Sequence, residues 1–175
     1  MANNMKKYII TALTLGLIAA GSAALIGGVN LLTRERIKQN ELNNFNKGVV
    51  ALFGDQASVD MQYKNEVNKG YIQDWYWVHF EDGSESAYIF KTSGSNSYGK
   101  VTLLVGFDSS KLFVGTYVIT NEQTYASTLV DNYLVPLNNG ERDKDDVSCG
   151  ATYGAKLVRD MIDAAQEYCN GIIID

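Results

Sequence analysis

The chain has a single proline in 175 residues, Pro136, so Pro-rich linkers are absent. It has a single histidine, His79, which stands among aromatic residues; a structural or surface role is expected of it, and no Ser-His-Asp set can be built around it. The glycine signatures of the P-loop and of dinucleotide sites are missing. No basic patch with interleaved aromatics is present, and net charge is −5, which argues against a nucleic-acid partner because phosphates repel an acidic surface. The two cysteines, Cys149 and Cys169, are few for a disulfide framework. Residues 153–168 read as a helix, which at about 1.5 Å per residue holds the two roughly 24 Å apart. A disulfide needs Cα atoms within about 7 Å. Two unpaired thiols are therefore expected. Only His79 stands to join them on a metal, so zinc is not supported.

One apolar run is present. Tyr8 to Leu32 holds no charged residue, and about 20 apolar residues suffice to cross a bilayer as a helix. Its apolar core exceeds the 7–15 residues or so of a signal peptide, so an uncleaved anchor is expected. Small residues such as Gly16, Ala20 and Ala24 lie four apart and suit close helix packing in lipid. Residues 1–38 carry Lys6, Lys7, Arg34, Arg36 and Lys38 against Glu35 alone, so the basic end suits lipid headgroups and the remainder is acidic. Lys6 and Lys7 favour a cytoplasmic N-terminus, while Arg34, Arg36 and Lys38 pull the other way; charge alone leaves orientation open.

The expected organisation is a short N-terminus (1–7), a transmembrane helix (8–32), a helical stalk (33–48) and one domain (49–175). Gly54 to Asp60 reads as a loop. Tyr71 to Phe80 alternates, with Tyr76, Val78 and Phe80 on one side and Trp75, Trp77 and His79 on the other, as a strand does. Glu81-Asp82-Gly83-Ser84 is a turn signal. Ser86 to Lys91 reads as a strand and Ser93 to Ser97 as a flexible loop. Lys100 to Phe107 and Lys111 to Ile119 form a hairpin across Asp108-Ser109-Ser110. Asn121 to Thr128 and Asn138 to Asp146 read as loops. Ala155, Leu157, Val158, Met161, Ile162 and Ala165 have helical spacing, and Cys169 to Asp175 reads as a last strand. The fold class is α+β: an N-terminal transmembrane helix, then a twisted antiparallel sheet packed with helices.

The stretch from Asp146 to Lys156 is the informative one. Gly150 and Ala151 let the backbone turn closely, and Thr152 stands at a helix entry, where free N–H groups and the helix dipole favour a phosphate. A threonine there is also a common N-cap, and pattern alone favours that reading.

The layout as a whole resembles the FMN-binding domain family, found in the G subunit of the Rnf ion-translocating oxidoreductase and in the C subunit of the sodium-pumping NADH:quinone oxidoreductase. That family's Asp-x-x-Ser-Gly-Ala-Thr motif is similar to Asp146-x-x-Cys149-Gly150-Ala151-Thr152. The anchor running into Val29-Asn30-Leu31-Leu32-Thr33, with Ile37 and Asn40-Glu41, resembles the start of a G subunit. Ser97-Tyr98-Gly99-Lys100 with the strand to Asp108, and Lys111 to Gly115, resemble the family's glycine-rich turn and two strands. Asn121-Glu122-Gln123-Thr124 stands where the family has a Glu-Thr-Pro-Gly-Leu-Gly loop. The resemblance spans nearly the whole chain. It departs at Cys149 for serine, at Gly154 for a frequent Ser or Thr, in the loop from Asn121, which lacks the proline and glycines, in one glycine lost from the turn at Tyr98, and in a shortened segment between loop and motif.

The resemblance implies FMN esterified through its phosphate to Thr152 by a flavin transferase. Gly150 and Ala151 then allow backbone approach, Asp146 and Cys149 belong to the recognised motif, and Glu122, Thr124 and Tyr98 approach the flavin. It implies an electron-transfer subunit with a cytoplasmic N-terminus and an extracytoplasmic domain, partnered by the integral-membrane subunits of an Rnf-type complex. Two rival readings stay open: a tethered binding or assembly module that keeps the fold without flavin, and a solitary extracytoplasmic flavin carrier.

Overall fold

The computed structural model describes residues 2–60, 64–83 and 86–172. They divide into two units, Met1–Leu42 and Asn43–Asp175. Helix α1 runs Ala2–Phe53, so its first part forms the first unit and its last turns belong to the second.

In the first unit Tyr8–Val29 is long and apolar enough to cross a membrane, with a mean hydropathy of 2.2 and none of it buried. Apolar residues are exposed on every side of it, Leu13, Leu15, Leu17 and Ile18 in succession around the helix. A helix apolar all round needs an apolar surround, which lipid supplies. The Thr14 hydroxyl donates back to the Ile10 carbonyl at 2.8 Å, so this polar group is satisfied inside the helix.

The second unit is α+β. Its sheet contains β1 (Ala57–Val59), β2 (Asn65–Lys69), β3 (Ile72–Phe80), β4 (Ala87–Asn96), β5 (Gly99–Phe107) and β6 (Phe113–Asn121). Every pairing is antiparallel, in the order β1-β3-β4-β5-β6, with β2 sharing the β3 edge with β1. Short connections favour this meander. Helix α2 (Ala126–Leu129), a π turn (Val130–Leu134) and α3 (Val135–Asn138) follow one another directly, and α4 spans Thr152–Gly171.

Both sheet faces are buried, each by a different helix. Tyr76, Val78, Ile89 and Leu104 meet Phe45, Val49, Leu52 and Phe53 at the end of α1. Tyr88, Phe90, Leu103 and Val105 meet Val158, Met161, Ile162 and Ala165 of α4 on the other face. Full burial of each such side chain contributes about 1.5–3 kcal/mol. The alternation expected of Tyr71 to Phe80 is thus real: Tyr76 and Val78 point to α1, while Trp75 and Trp77 point to the α4 side. His79 is exposed, with Nδ1 3.2 Å from the Ser86 hydroxyl.

Some boundaries differ from the sequence reading. Residues 93–96 are not a flexible loop. They continue β4 in full register with β5, Ser93 opposite Thr102 and Asn96 opposite Gly99, and the turn is Ser97–Tyr98 alone. Gly94 is a strand residue because α4 lies close over it; a Cβ there would meet Leu157 Cδ1 at 2.8 Å and Tyr71 Cδ1 at 3.1 Å. The 54–60 stretch contains β1, which pairs Ala57 with Phe80. Cys169 to Gly171 is the last turn of α4, not a strand, since Cys169 extends the buried face of Met161, Ile162 and Ala165. Residues 173–175 and Ser84 of the expected turn lie outside the described residues. Ala126 to Thr128, expected to be part of a loop, begin a helical run over 126–138 in which Leu129, Tyr133, Leu134 and Leu137 are the buried positions. Both cysteines are unpaired, as expected, and both are buried.

Candidate functional site

The N-terminus of α4, the β4–β5 turn and the start of α2 converge on one open cleft of about 250 Å³. Gly150, Ala151, Thr152, Tyr153 and Gly154 form one wall; Tyr98, Gln123, Tyr125 and Leu129 form the other.

The α4 wall presents an uncapped helix N-terminus. The cap position is Ala151, with no side-chain cap, and Thr152 is the first residue of the helix. The capping role that pattern alone assigned to Thr152 is therefore not its role here. The first turn carries no acidic residue, so its N–H groups and dipole are uncompensated. Lys156 lies one turn on, with Nζ 6.0 Å from the centroid of the Tyr153 ring. Thr152 is half-buried in the wall. Gly150 has φ +82°, a conformation glycine adopts without strain.

Three side chains hold the loop before Thr152 by its carbonyls. Tyr133 donates its hydroxyl to the Lys144 carbonyl at 2.5 Å. Arg142 Nη1 donates to the carbonyls of Asp146 at 2.8 Å and Ser148 at 3.3 Å, and pairs with Asp146 Oδ2 at 3.2 Å. Asn132 Nδ2 donates to the Cys149 carbonyl at 3.1 Å. Burial pushes the Tyr133 phenol well above its ordinary pKa, so it remains a donor. Asn132 and Tyr133 both belong to the π turn, an irregularity often found at functional sites.

The opposite wall is a tight turn. Gly99 has φ +133°, and a Cβ on it would sit 2.1 Å from the Glu122 carbonyl oxygen. Thr124 donates both its N–H (2.8 Å) and its hydroxyl (3.2 Å) to the Tyr98 carbonyl. Asn96 Nδ2 donates to the Tyr153 carbonyl at 3.1 Å, tying the turn to the first turn of α4. The Tyr98 ring stacks on Tyr153, centroids 5.3 Å apart, and lies 6.3 Å from Tyr125.

Of the residues singled out in the sequence, Tyr98, Gly150, Ala151 and Thr152 come together in the cleft. Cys149 is buried beside it, in the core cluster under α4, with its carbonyl held by Asn132. Asp146 is exposed on the loop and bonds within it to the Ser148 N–H. Glu122 and Thr124 stand behind the turn, packing and bonding to its backbone rather than lining the cleft. Gln123, Tyr125, Leu129 and Tyr153 line it and were not singled out. Tyr125 offers one sequence signal, a large ring in polar surroundings, and both Tyr125 and Tyr153 are more than half exposed.

One N-terminal apolar helix of membrane-spanning length, followed by an α+β domain with a cleft at a helix N-terminus, fits a single-pass membrane protein. Residues 1–47 match the family model described as the RnfG N-terminal region. That match covers the anchor and stalk, the part of the chain whose resemblance to the start of a G subunit was expected. No curated protein matches the chain.

Proposed function

We propose that this chain is the flavin-carrying subunit of an Rnf-type ion-translocating complex, with FMN esterified through its phosphate to Thr152. The observation that carries this reading is the uncapped, acid-free first turn of α4, with Thr152 at its head and in the wall of a cleft flanked by tyrosines. These residues fit the group. Free N–H groups suit the phosphate. The exposed faces of Tyr98, Tyr125 and Tyr153 suit a planar ring. At about 250 Å³ the cleft takes part of such a ligand, and its open side leaves the rest over the tyrosines.

Bound FMN supplies the electron-transfer chemistry, and the protein sets its position and potential. Thr152 Oγ1 supplies the attachment atom. The positive φ of Gly150 and the small Ala151 let the backbone run close to the ligand. Asp146, exposed, is open to recognition by a flavin transferase, while Cys149 seats the motif in the core. Glu122 and Thr124 act through the Tyr98 turn rather than directly on the ring.

The domain is placed on the outer face of the cell membrane with the N-terminus cytoplasmic, as in the family it resembles. Covalent attachment then prevents loss of the cofactor. The partners are the integral-membrane subunits, against which the anchor packs, and Thr152 would hold the flavin for electron transfer with them. The match of residues 1–47 favours such a complex over a solitary carrier.

Co-expression of the full chain with a flavin transferase tests the reading. The denatured protein band is expected to fluoresce, and intact mass to rise by one FMN less water. Thr152→Ala is expected to lose both and Thr152→Ser to keep them. An unlabelled wild-type chain overturns the proposal in favour of a module that keeps the fold without flavin.

A further inference from the structure

Gln123 is the most deeply set polar side chain of the cleft wall, 7% exposed. Its amide has one orientation. Nε2 donates to Asn96 Oδ1 at 3.1 Å and to the Gly99 carbonyl. A backbone carbonyl only accepts, so the reversed amide would set two acceptors against each other. Oε1 is therefore the free end. It lies 3.3 Å from the point that a Cβ on Gly154 would occupy. Among the described residues, the one fully buried side-chain polar atom without a partner is Tyr88 Oη, so the unbonded Oε1 is not fully buried, and Gln123 lines the cleft. The position of Gly154 matters here: a side chain would press on Oε1 and on Leu129 Cδ2, which is 3.1 Å from the same point.

A fixed acceptor in a wall of tyrosine, leucine and glycine favours a ligand that brings a donor, since leaving it unbonded under a ligand costs its desolvation. We propose that Gln123 Oε1, kept open by Gly154, accepts a hydrogen bond from a hydroxyl of the sugar-alcohol chain that joins the flavin phosphate to its ring. This rests on the reading of the cleft as a flavin-phosphate site. The choice of the linker over the ring follows from position. Gly154 lies two residues beyond Thr152, a rise of about 3 Å along the helix. Gln123 therefore meets the ligand close to its phosphate. The ring imide, the flavin's other strong donor, is at the far end of the molecule.

The test uses the full chain in detergent, purified without flavin transferase. Binding of three probes is followed by quenching of flavin fluorescence: FMN, its 3-methyl derivative, and the 5-phosphopentyl analogue that lacks the chain hydroxyls. The pentyl analogue is expected to bind about 5- to 10-fold more weakly than FMN, the worth of one hydrogen bond. The 3-methyl derivative is expected to bind like FMN. The gap between FMN and the pentyl analogue should close in Gln123→Leu. It should narrow in Gly154→Ala, which leaves the bonds to Asn96 and Gly99 in place. Equal binding of FMN and the pentyl analogue by wild type, a loss confined to the 3-methyl derivative, or a gap that persists in Gln123→Leu overturns the inference. Labelling by the transferase is measured alongside. A labelled Thr152 without the hydroxyl gap overturns the role of Gln123 and leaves the attachment intact; no label and no binding overturn both.

Discussion

The ring of Tyr98 lies on that of Tyr153, planes 26° apart, although one belongs to a strand turn and the other to the first turn of a helix. Both rings are partly exposed, 38% for Tyr98 and 63% for Tyr153, so the pair is an open aromatic surface rather than core. The Asn96 side chain, bonded to the Tyr153 carbonyl, holds the two elements at this spacing. Tyrosines close to a flavin ring quench its emission. In protein labelled at Thr152, Tyr98→Ala and Tyr153→Ala are each expected to raise flavin fluorescence severalfold while intact mass still shows the label. Stability should change by less than about 1 kcal/mol, because exposed side chains carry little burial energy. Unchanged emission in both variants would separate the rings from the flavin.

Gly48 sets how closely the end of α1 approaches the sheet. A Cβ there would stand 2.5 Å from Leu104 Cδ1 and 2.8 Å from Tyr117 Cδ1. Both are side-chain atoms, so they can shift, but Leu104 is fully buried and has little room. Overpacking of this kind costs about 1–3 kcal/mol. Gly48→Ala is expected to destabilise the chain by that amount in denaturant titrations followed by tryptophan fluorescence, and Gly48→Val by more. Wild-type stability in Gly48→Ala would mean that the helix sits less closely than described.

The contrast between Tyr71–Phe80 and residues 93–97 explains what was legible in the sequence. The first segment announces itself because its apolar side chains alternate, and each set buries on its own face. The second is Ser-Gly-Ser-Asn-Ser, the composition of a loop, yet most of it is strand. Gly94 is demanded by α4 passing above it, and such a close approach from a distant element leaves no local trace. The site divides the same way. The place of Thr152 at a helix entry was legible from the small residues before it and the helical spacing after it. Gln123 was not, because its importance comes from two acceptors, Asn96 and Gly99, 27 and 24 positions earlier in the chain. The helix over 126–138 was hidden by Pro136 and the neighbouring π turn, which break the regular 3.6-residue rhythm.

Asn138 covers the β6 edge of the sheet at Thr116. Its Oδ1 accepts from the Thr116 N–H at 2.8 Å and from the Thr116 hydroxyl at 3.1 Å, and its Nδ2 donates to the Thr116 carbonyl at 2.7 Å. One side chain thus imitates the backbone of a neighbouring strand and satisfies β6 where it would otherwise be open to pairing. Asn138→Ala is expected to cost about 1–3 kcal/mol and to increase aggregation on heating, read by light scattering. Asn138→Asp keeps the two accepted bonds but turns an oxygen toward the Thr116 carbonyl, so it should not recover the wild-type midpoint. Full stability of Asn138→Asp would show that the bond to the carbonyl is dispensable.

Cys169 gives the domain an alkaline limit. Burial on the inner face of α4 raises its thiol from 9.0 to about 11, partly offset by Lys111. Below pH 9 both folded and unfolded chains hold the proton, and the thiol adds no slope. Between about 9 and 11 the unfolded chain releases its proton first, so unfolding is favoured as pH rises; beyond the folded value both are ionised and the slope ends. A gap of this size corresponds to about 2–3 kcal/mol across the window. Denaturant midpoints measured from pH 8 to 11 are therefore expected to fall more steeply in wild type than in Cys169→Ala. That variant begins lower at pH 8 through lost packing, so the slope is the informative quantity. Tyr76, which burial and Asp74 raise to about 12, adds a fall of the same sign between 10 and 12 that both proteins share. Parallel curves over pH 9–10, below the Tyr76 window, would show that the Cys169 thiol is solvated in the native state.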